Sequence, residues 1–169
     1  MAVRVLVVDD SAFMRRVLRS MLESDPAIEV IAVAKNGEEA LDQAARLKPD
    51  VITLDIEMPV MDGLTALRRI MRDCPTSVLM CSSLTTGGSL ASLRAMKLGA
   101  ADVITKDTSQ FSLNTEAIQK DLTTRIKAIA RDRSASPATD APQQDGPQYR
   151  PGQFSLIAIG SSTGGPPQL

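Results

Sequence analysis

The amino-acid sequence predicts a doubly wound α/β fold built on one five-stranded parallel sheet. Short apolar runs rich in β-branched residues recur five times before residue 107, and a segment with helical periodicity follows each of them. Runs that are apolar throughout are typical of strands buried on both faces of a parallel sheet. The regular alternation of strands and helices predicts right-handed crossovers, with helices on both faces of the sheet.

The first strand and the first helix carry the clearest signals. Val3–Val8 is the first apolar run, and Ser11 can cap the helix that follows it. The ring of Pro26 disfavours helical geometry at Asp25, so we expect the helix to end there. The apolar positions of this helix follow the helical period: Phe13, Met14, Val17, Leu18, Met21 and Leu22.

Four further units continue the alternation. A second strand is predicted at 28–33, a turn at Asn36 and Gly37, and a helix at 38–47. The other strands are predicted at 51–54, 78–81 and 102–105, and the other helices at 64–71 and 89–98. A last amphipathic helix carries one apolar stripe: Ile118, Leu122, Ile126 and Ile129.

Short polar side chains follow four of the predicted strands. They are Asp9 and Asp10 after the first strand, Asp55 after the third, Ser82 after the fourth and Lys106 after the fifth. The expected strand order is 2-1-3-4-5, in which the winding reverses between strands 1 and 3, and ligands bind beyond the strand ends at such a reversal. We therefore expect these side chains to converge on one rim of the sheet.

The carboxylates of this rim suit a hard divalent cation. Mg²⁺ prefers oxygen ligands and is usually held by one or two carboxylates together with waters and phosphate oxygens. Asp10 and Asp55 can bind it directly, the backbone carbonyl of Glu57 can supply a third oxygen, and Asp9 can act through a water. The sequence therefore predicts a Mg²⁺ site.

A carboxylate beside such a cation can accept a phosphoryl group and become an acyl phosphate. We assign this role of phosphoacceptor to Asp55. The hydroxyl of Ser82 can then donate to one phosphoryl oxygen, and Lys106 can pair with another. Both residues would sense the modification.

Each of these residues also has a simpler interpretation. Asp9 and Asp10 can cap the first helix, Asp55 can belong to a turn, and Lys106 can be a solvated surface lysine. Ser82 alone indicates nothing. Helix capping does not, however, require acids, a hydroxyl and a lysine at the ends of four strands, so the combination favours the phosphoryl site.

Composition excludes several classes of function. The net charge of −1 and the 2% content of aromatic residues give no support for binding nucleic acid, and no apolar run is long enough to span a bilayer. With no histidine, the chain alone cannot form a Ser-His-Asp site or a His-ligated zinc site. The start of the sequence has no signal-peptide pattern, and we expect a cytoplasmic protein.

The composition changes near the end of the chain. We assign residues 1–128 to the first domain and residues 129–153 to a flexible linker rich in Ser, Ala, Pro, Gln and Asp. Residues 154–169 begin with another apolar run and then read Gly160-Ser161-Ser162-Thr163-Gly164. They are predicted to be the first strand and turn of a second α/β domain.

The segment around Ser162 fits the G-x-S-x-G pattern of a nucleophile elbow, in which small residues allow a sharp turn between a strand and a helix. The residues alone leave a second interpretation open, namely a glycine-rich turn that binds an anion.

At this point the sequence resembles a known family. The motifs Val7-Val8-Asp9-Asp10-Ser11, Leu54-Asp55-Ile56-Glu57-Met58-Pro59, Asp62-Gly63, Ser82 and Thr105-Lys106 are similar to those of response-regulator receiver domains. Three further segments resemble the chemotaxis protein-glutamate methylesterases: Asp10-Ser11-Ala12-Phe13-Met14-Arg15, Cys81-Ser82-Ser83-Leu84-Thr85 and Ile159-Gly160-Ser161-Ser162-Thr163-Gly164-Gly165.

The resemblance implies a flavodoxin-like receiver that a histidine kinase phosphorylates on Asp55 and that restrains its own C-terminal esterase. That esterase family demethylates and deamidates glutamate and glutamine side chains of chemoreceptors, with Ser162 as the implied nucleophile. Its base and orienting acid would lie beyond residue 169, so we expect no esterase activity from this chain alone. The alternatives are a receiver with a different output domain and a Mg²⁺-dependent phosphohydrolase.

Two positions depart from the family pattern. Asp107 follows Lys106 where the family usually has a proline in a cis peptide, so we expect a trans bond and a shifted loop. Val103 stands where the family commonly has an aromatic residue. The resemblance therefore implies that Ser82 and its loop, rather than an aromatic rotamer, transmit the signal.

Overall fold

The computed structural model describes residues 2–83, 86–106 and 115–135, with strands and helices in strict alternation. The strands are β1 Val3–Val8, β2 Ile28–Ala34, β3 Val51–Asp55, β4 Ser77–Ser83 and β5 Asp102–Lys106. The helices are α1 Ala12–Glu23, α2 Gly37–Leu47, α3 Gly63–Asp73, α4 Thr86–Lys97 and α5 Thr115–Ala135. The predicted fold class is confirmed.

The five strands form one sheet in the order β2-β1-β3-β4-β5, and every neighbouring pair is parallel. This is the predicted order, and it places β1 directly beside β3. Val8 pairs with Leu54, and Asp55 pairs with Cys81. The residues that follow Val8 and Leu54 therefore meet at the same edge of the sheet.

Two hydrophobic layers cover the sheet. On one face, α2, α3 and α4 pack on alternate strand residues such as Leu6, Ile52 and Met80. On the other face, α1 and α5 pack on the intervening residues, including Val7 and Leu79. Because side chains alternate between the two faces along a strand, these assignments also show on which face of the sheet the following residues of each strand lie.

Three helices begin with the same type of cap. The side chains of Ser11, Asn36 and Asp62 accept a backbone N–H three residues later, at 3.4, 2.9 and 2.8 Å respectively. The predicted cap at Ser11 is confirmed. Asn36 and Gly37 were predicted as a turn, but Asn36 is the N-cap of α2 and Gly37 its first residue, since the Asn36 amide oxygen satisfies an N–H that the helix leaves unpaired.

The ends of the chain require one correction. Helix α5 continues to Ala135, past the domain boundary predicted at residue 128, and Ile129, the last residue of the predicted apolar stripe, packs in the core. The predicted linker therefore does not begin at residue 129. Residues 136–153 of that linker, the predicted segment 154–169 and Ser162 lie outside the described residues. No helix of the described residues is long and apolar enough to cross a membrane.

Thr53 is a buried polar residue whose hydroxyl has no hydrogen-bond partner among the described residues. In register it lies between Val7 and Leu79. We expect Thr53→Val to raise the free energy of unfolding by about 1 kcal/mol, because a methyl group of similar shape replaces an unsatisfied hydroxyl. Urea denaturation measures this change.

The matched control is Thr76→Val. Thr76 is also buried, but its hydroxyl donates to the carbonyl oxygen of Cys74 at 2.9 Å. The control should lose stability because that hydrogen bond disappears. A Thr53→Val protein no more stable than the unmodified chain would contradict the expectation.

Candidate functional site

Three carboxylates converge where β1 and β3 end. Asp9 directly follows β1, Asp10 comes next, and Asp55 is the last residue of β3. One carboxylate oxygen from each of the three lies within 4.8 Å of the others. Asp9 and Asp55 are buried and Asp10 is exposed, so the cluster has a closed side and an open side.

The loop between β1 and α1 is held by its own polar groups. The Asp9 carboxylate accepts the N–H of Ser11 at 2.9 Å, so Asp9 also supports the start of the helix, as the simpler interpretation proposed. The Arg15 guanidinium donates to the carbonyl oxygens of Asp9 and Asp10 at 2.7 and 2.9 Å. These bonds fix the backbone that carries two of the three carboxylates.

Lys106 reaches the same cluster from the end of β5. Its ammonium lies 2.6 Å from Asp9 Oδ2 and 2.8 Å from Asp55 Oδ1. The Lys106 side chain is only 12% exposed. The simpler interpretation of Lys106 as a solvated surface lysine is therefore wrong: it is the partly buried counter-ion of two carboxylates.

Burial and charge act in opposite directions on the pKa values of this pair. Burial raises the pKa of the Asp55 carboxyl and outweighs the hydrogen bond and charge of Lys106, which lower it. Burial on its own would lower the pKa of Lys106, but the hydrogen bonds to Asp55 and Asp9 and their charges raise it. Lys106 is therefore firmly protonated at neutral pH, and its charge offsets part of the charge of the cluster.

Ser82 is placed by the register of the sheet. It is buried and pairs with Thr105, one residue beyond the level at which Asp55 pairs with Cys81. Because side chains alternate along β4, the Ser82 side chain lies on the same face of the sheet as that of Met80, the face that α4 covers. The same alternation along β3 places Asp55 on the opposite face. Ser82 thus lies between the carboxylate rim and α4. Its role as a phosphoryl sensor stays a prediction.

Glu57 follows Asp55 in the loop that leads to α3. Its backbone N–H donates to the Asp55 carboxylate, and its side chain is exposed. The role of its carbonyl as a metal ligand stays a prediction. The loop returns so closely that a Cβ at Gly63 would lie 1.9 Å from the carbonyl oxygen of Asp55. Only glycine fits at position 63, which gives a physical reason for the glycine of the Asp62-Gly63 motif.

Val60 in this loop adopts a strained backbone conformation. Its φ is +68°, and its side chain is 75% exposed. A β-branched residue disfavours the left-handed region, whereas asparagine tolerates it. We expect Val60→Asn to raise the free energy of unfolding by about 1 kcal/mol, measured by chemical denaturation.

A control is Val33→Asn, because Val33 is also partly exposed but lies in β2. Asparagine is unfavourable in a strand, so this variant should be destabilised. Equal effects of the two substitutions would show that backbone strain at Val60 is not the cause.

Cys81 lies beside Asp55 in the sheet but is not a second nucleophile. Burial raises the pKa of its thiol to about 12, so the thiolate is absent at neutral pH. Cys81 and Cys74 are both free cysteines.

The donor set fits the predicted Mg²⁺. Asp9, Asp10 and Asp55 offer hard carboxylate oxygens close enough to share one cation, and hard oxygen ligands are what Mg²⁺ prefers. The described residues bring no histidine or thiolate to this cluster, so a softer metal has no matching ligands there. Asp107, which follows Lys106, lies outside the described residues.

Comparison with known proteins agrees with this geometry. The profile of the response regulator receiver domain matches residues 5–118. Curated relatives include a protein-glutamate methylesterase/protein-glutamine glutaminase 1 of Oleidesulfovibrio alaskensis, 48% identical over 99% of this chain and 53% of the relative. Another protein of that name, from Halalkalibacterium halodurans, is 46% identical over 99% of this chain and 49% of the relative. The chain spans about half the length of the curated relatives it matches.

Solved structures show the same fold. The response regulator domain of Thermotoga maritima CheB superimposes with a TM-score of 0.70 and 45% identity over 78% of this chain and 98% of that one. A CheX-CheY-BeF3-Mg complex from Borrelia burgdorferi matches with a TM-score of 0.63 and 31% identity over 75% of this chain and 88% of that one. The chain therefore belongs to the response regulator receiver domain family, in the group of receivers found in CheB methylesterases.

Proposed function

We propose that this chain is the phosphorylated regulatory part of a chemotaxis methylesterase, with Asp55 as phosphoacceptor and a histidine kinase as donor. The observation that carries the proposal is the convergence of Asp9, Asp10 and Asp55 with Lys106 at the rim of the sheet. A cluster used only for capping would not need a partly buried lysine between two carboxylates. The receiver match to residues 5–118 supports the same reading.

The reaction follows from the placement of Asp55. Its Oδ attacks the phosphorus of the donor phosphohistidine; an O–P bond forms, the N–P bond breaks, and the imidazole leaves with that electron pair. The product is an acyl phosphate on Asp55. The residues that would hold Mg²⁺ are Asp9, Asp10, Asp55 and the backbone carbonyl of Glu57. When bound, this ion would neutralise charge on the transferring group.

Lys106 and Ser82 respond to the new group. The Lys106 ammonium can move from Asp55 to a phosphoryl oxygen while it keeps its contact with Asp9, since it lies 2.6 Å from that residue. Ser82 would donate its hydroxyl to another oxygen. Because Ser82 lies on the strand face that α4 covers, this movement would bias the surface formed by α4, β5 and α5.

The output would be the esterase that follows the linker. The names of the matched relatives support demethylation of glutamate and deamidation of glutamine. The motif resemblance is the basis on which we propose chemoreceptors as substrates and Ser162 as nucleophile. The chain has no histidine to activate a serine, so we predict no methyl-ester hydrolysis by these 169 residues alone. Turnover by the purified chain that disappears in Ser162→Ala would contradict this prediction.

Intact-protein mass spectrometry tests the proposal against the alternative of a phosphohydrolase. After incubation with Mg²⁺ and acetyl phosphate, we expect at most one phosphoryl group per chain, with the modification mapped to Asp55. A phosphohydrolase would instead release many equivalents of phosphate and keep no stable adduct. Repeated turnover of a simple phosphate ester without an adduct would refute the receiver function.

A further inference from the structure

We propose that the groove between α3 and α4 binds an acidic peptide segment of a partner protein. The groove has a volume of about 450 Å³ and lies outside the carboxylate rim. Three basic side chains line it: Arg68 from α3, and Arg94 and Lys97 from α4. The groove contains none of the carboxylates of the rim, and the inference goes beyond the proposed function.

The three basic residues are available to a ligand. All three are exposed, and no carboxylate of the described residues lies within ion-pair distance of any of them. The one acid that lines the groove, Asp62, is already engaged, since its two oxygens accept the N–H and the hydroxyl of Thr65 at 2.8 and 2.9 Å. The groove therefore presents an uncompensated positive charge.

Apolar side chains accompany these charges. Leu64 and Leu98 line the groove, and Leu90 is 63% exposed on the adjoining turn of α4. Leu90, Arg94 and Lys97 are spaced by four and then three residues, so they lie on one face of α4. An acidic amphipathic helix has the complementary pattern, with carboxylates for the basic residues and leucines for the apolar ones.

Another cavity lined by described residues offers a comparison. It lies between α1 and α5, has a volume of about 400 Å³, and contains Lys127 and Gln119. Lys127 already pairs with Asp25 at 2.6 Å, and Gln119 donates to the Ser24 hydroxyl at 2.6 Å. Lys127 and Gln119 are thus already paired, whereas Arg68, Arg94 and Lys97 of the α3–α4 groove have no ion-pair partner among the described residues.

The same observations favour a peptide over other anions. A nucleic-acid site would use aromatic side chains for base stacking, and none lines this groove. A small inorganic anion would make no use of the leucines that flank the charges. Basic residues on successive turns of α4 instead match acidic residues spaced along a peptide.

Fluorescence anisotropy with the 169-residue protein tests the proposal. The probe is a labelled helical peptide of Leu, Ala and Glu with its glutamates four residues apart, and the comparison peptide has Gln at each Glu. We expect the Glu peptide to bind at least about tenfold more tightly than the Gln peptide, and its binding to weaken as salt is raised. The double variant Arg68→Ala and Arg94→Ala should lose about tenfold in affinity.

The matched control is Arg69→Ala, which removes an exposed arginine next to Arg68 that does not line the groove. It should leave the affinity unchanged within about twofold. A second variant, Leu90→Gln, should weaken binding without placing a charge beside Arg94, and circular dichroism confirms that each variant is folded.

Several results would overturn the proposal: equal binding of the Glu and Gln peptides, unchanged affinity of the double variant, or no binding at up to about 1 mM protein. Displacement of the peptide by an equal concentration of inorganic phosphate would instead indicate a small-anion site. Equal displacement by oligothymidine would indicate a nucleic-acid site.

Discussion

Asp55→Asn is expected to abolish phosphoryl acceptance from acetyl phosphate in the presence of Mg²⁺. The amide keeps the size and shape of the carboxyl group but lacks the nucleophilic oxygen that forms the O–P bond. We expect the signal for the phosphorylated chain in intact-protein mass spectra to fall by at least about a hundredfold, to background. No other carboxylate of the rim combines the burial of Asp55 with its contact to Lys106 and the N–H of Glu57.

The same substitution should leave the fold intact. Because burial raises the pKa of Asp55, the folded protein bears a cost for ionising this group, and the neutral amide removes it. The amide oxygen can still accept the hydrogen bond from Lys106, which keeps Asp9 as its ion-pair partner. We therefore expect an unfolding temperature within about 4 °C of that of the unmodified chain.

Asp42→Asn is the matched control, since Asp42 is exposed on α2 and does not belong to the carboxylate cluster. It should be phosphorylated like the unmodified chain. Full labelling of Asp55→Asn, with the adduct mapped to Asp9 or Asp10, would move the phosphoacceptor to that residue and refute the assignment.

The strands and helices could be predicted because they follow from local signals, whereas the strand order, on which the carboxylate cluster depends, was taken from a known doubly wound arrangement. Apolar runs mark the strands, and a parallel sheet of this order brings the ends of β1 and β3 together whatever the details of packing. Asp9, Asp10 and Asp55 therefore had to lie near one another. The ends of the helices follow less directly from the sequence. Helix α4 was predicted to begin at residue 89 but begins at Thr86, although Gly87 and Gly88 are poor helix formers.

Other features depend on contacts that residue types do not specify. Arg15 lies in α1, and nothing in its spacing indicates that it donates to the carbonyls of Asp9 and Asp10. The only available signal was its place in the motif that resembles the methylesterases. The sequence predicts that Lys106 contacts a phosphoryl group. Its ion pairs with Asp9 and Asp55 depend on how far and in which direction all three side chains extend, which the residue types do not specify. The strained φ of Val60 likewise depends on the path of the whole loop.

Lys106→Met should lower the free energy of unfolding by about 3 kcal/mol in the absence of divalent cations. Methionine retains most of the apolar stem of the lysine but removes the charge. In the unmodified chain the side chains of Asp9 and Asp55 are 1% and 8% exposed. The substitution therefore leaves two buried carboxylates without the ammonium that neutralises them. Breaking a buried ion pair from one side is costly because the remaining charge stays desolvated. Urea denaturation with EDTA present measures the loss.

The pH range of this effect follows from the raised pKa of Lys106. A lysine whose pKa is higher in the folded protein contributes stability that is present below its ordinary pKa of about 10.4 and is lost as the pH rises through the folded value. The difference between the two proteins should therefore be constant from about pH 7 to 9. At acid pH it should shrink, because the raised pKa of Asp55 lets this carboxylate take up a proton and lose its uncompensated charge.

Magnesium should restore much of the stability that Lys106→Met loses. In the unmodified chain the ammonium already neutralises Asp9 and Asp55, whereas in the variant these carboxylates have no competing cation nearby. Addition of about 10 mM MgCl₂ should therefore raise the unfolding temperature of the variant more than that of the unmodified chain. Arg72→Met, which removes an exposed ion pair with Asp73, should show neither the large loss nor the rescue. An equal magnesium shift in Lys106→Met and the unmodified chain would mean that the lysine and the cation do not share the carboxylates of Asp9 and Asp55.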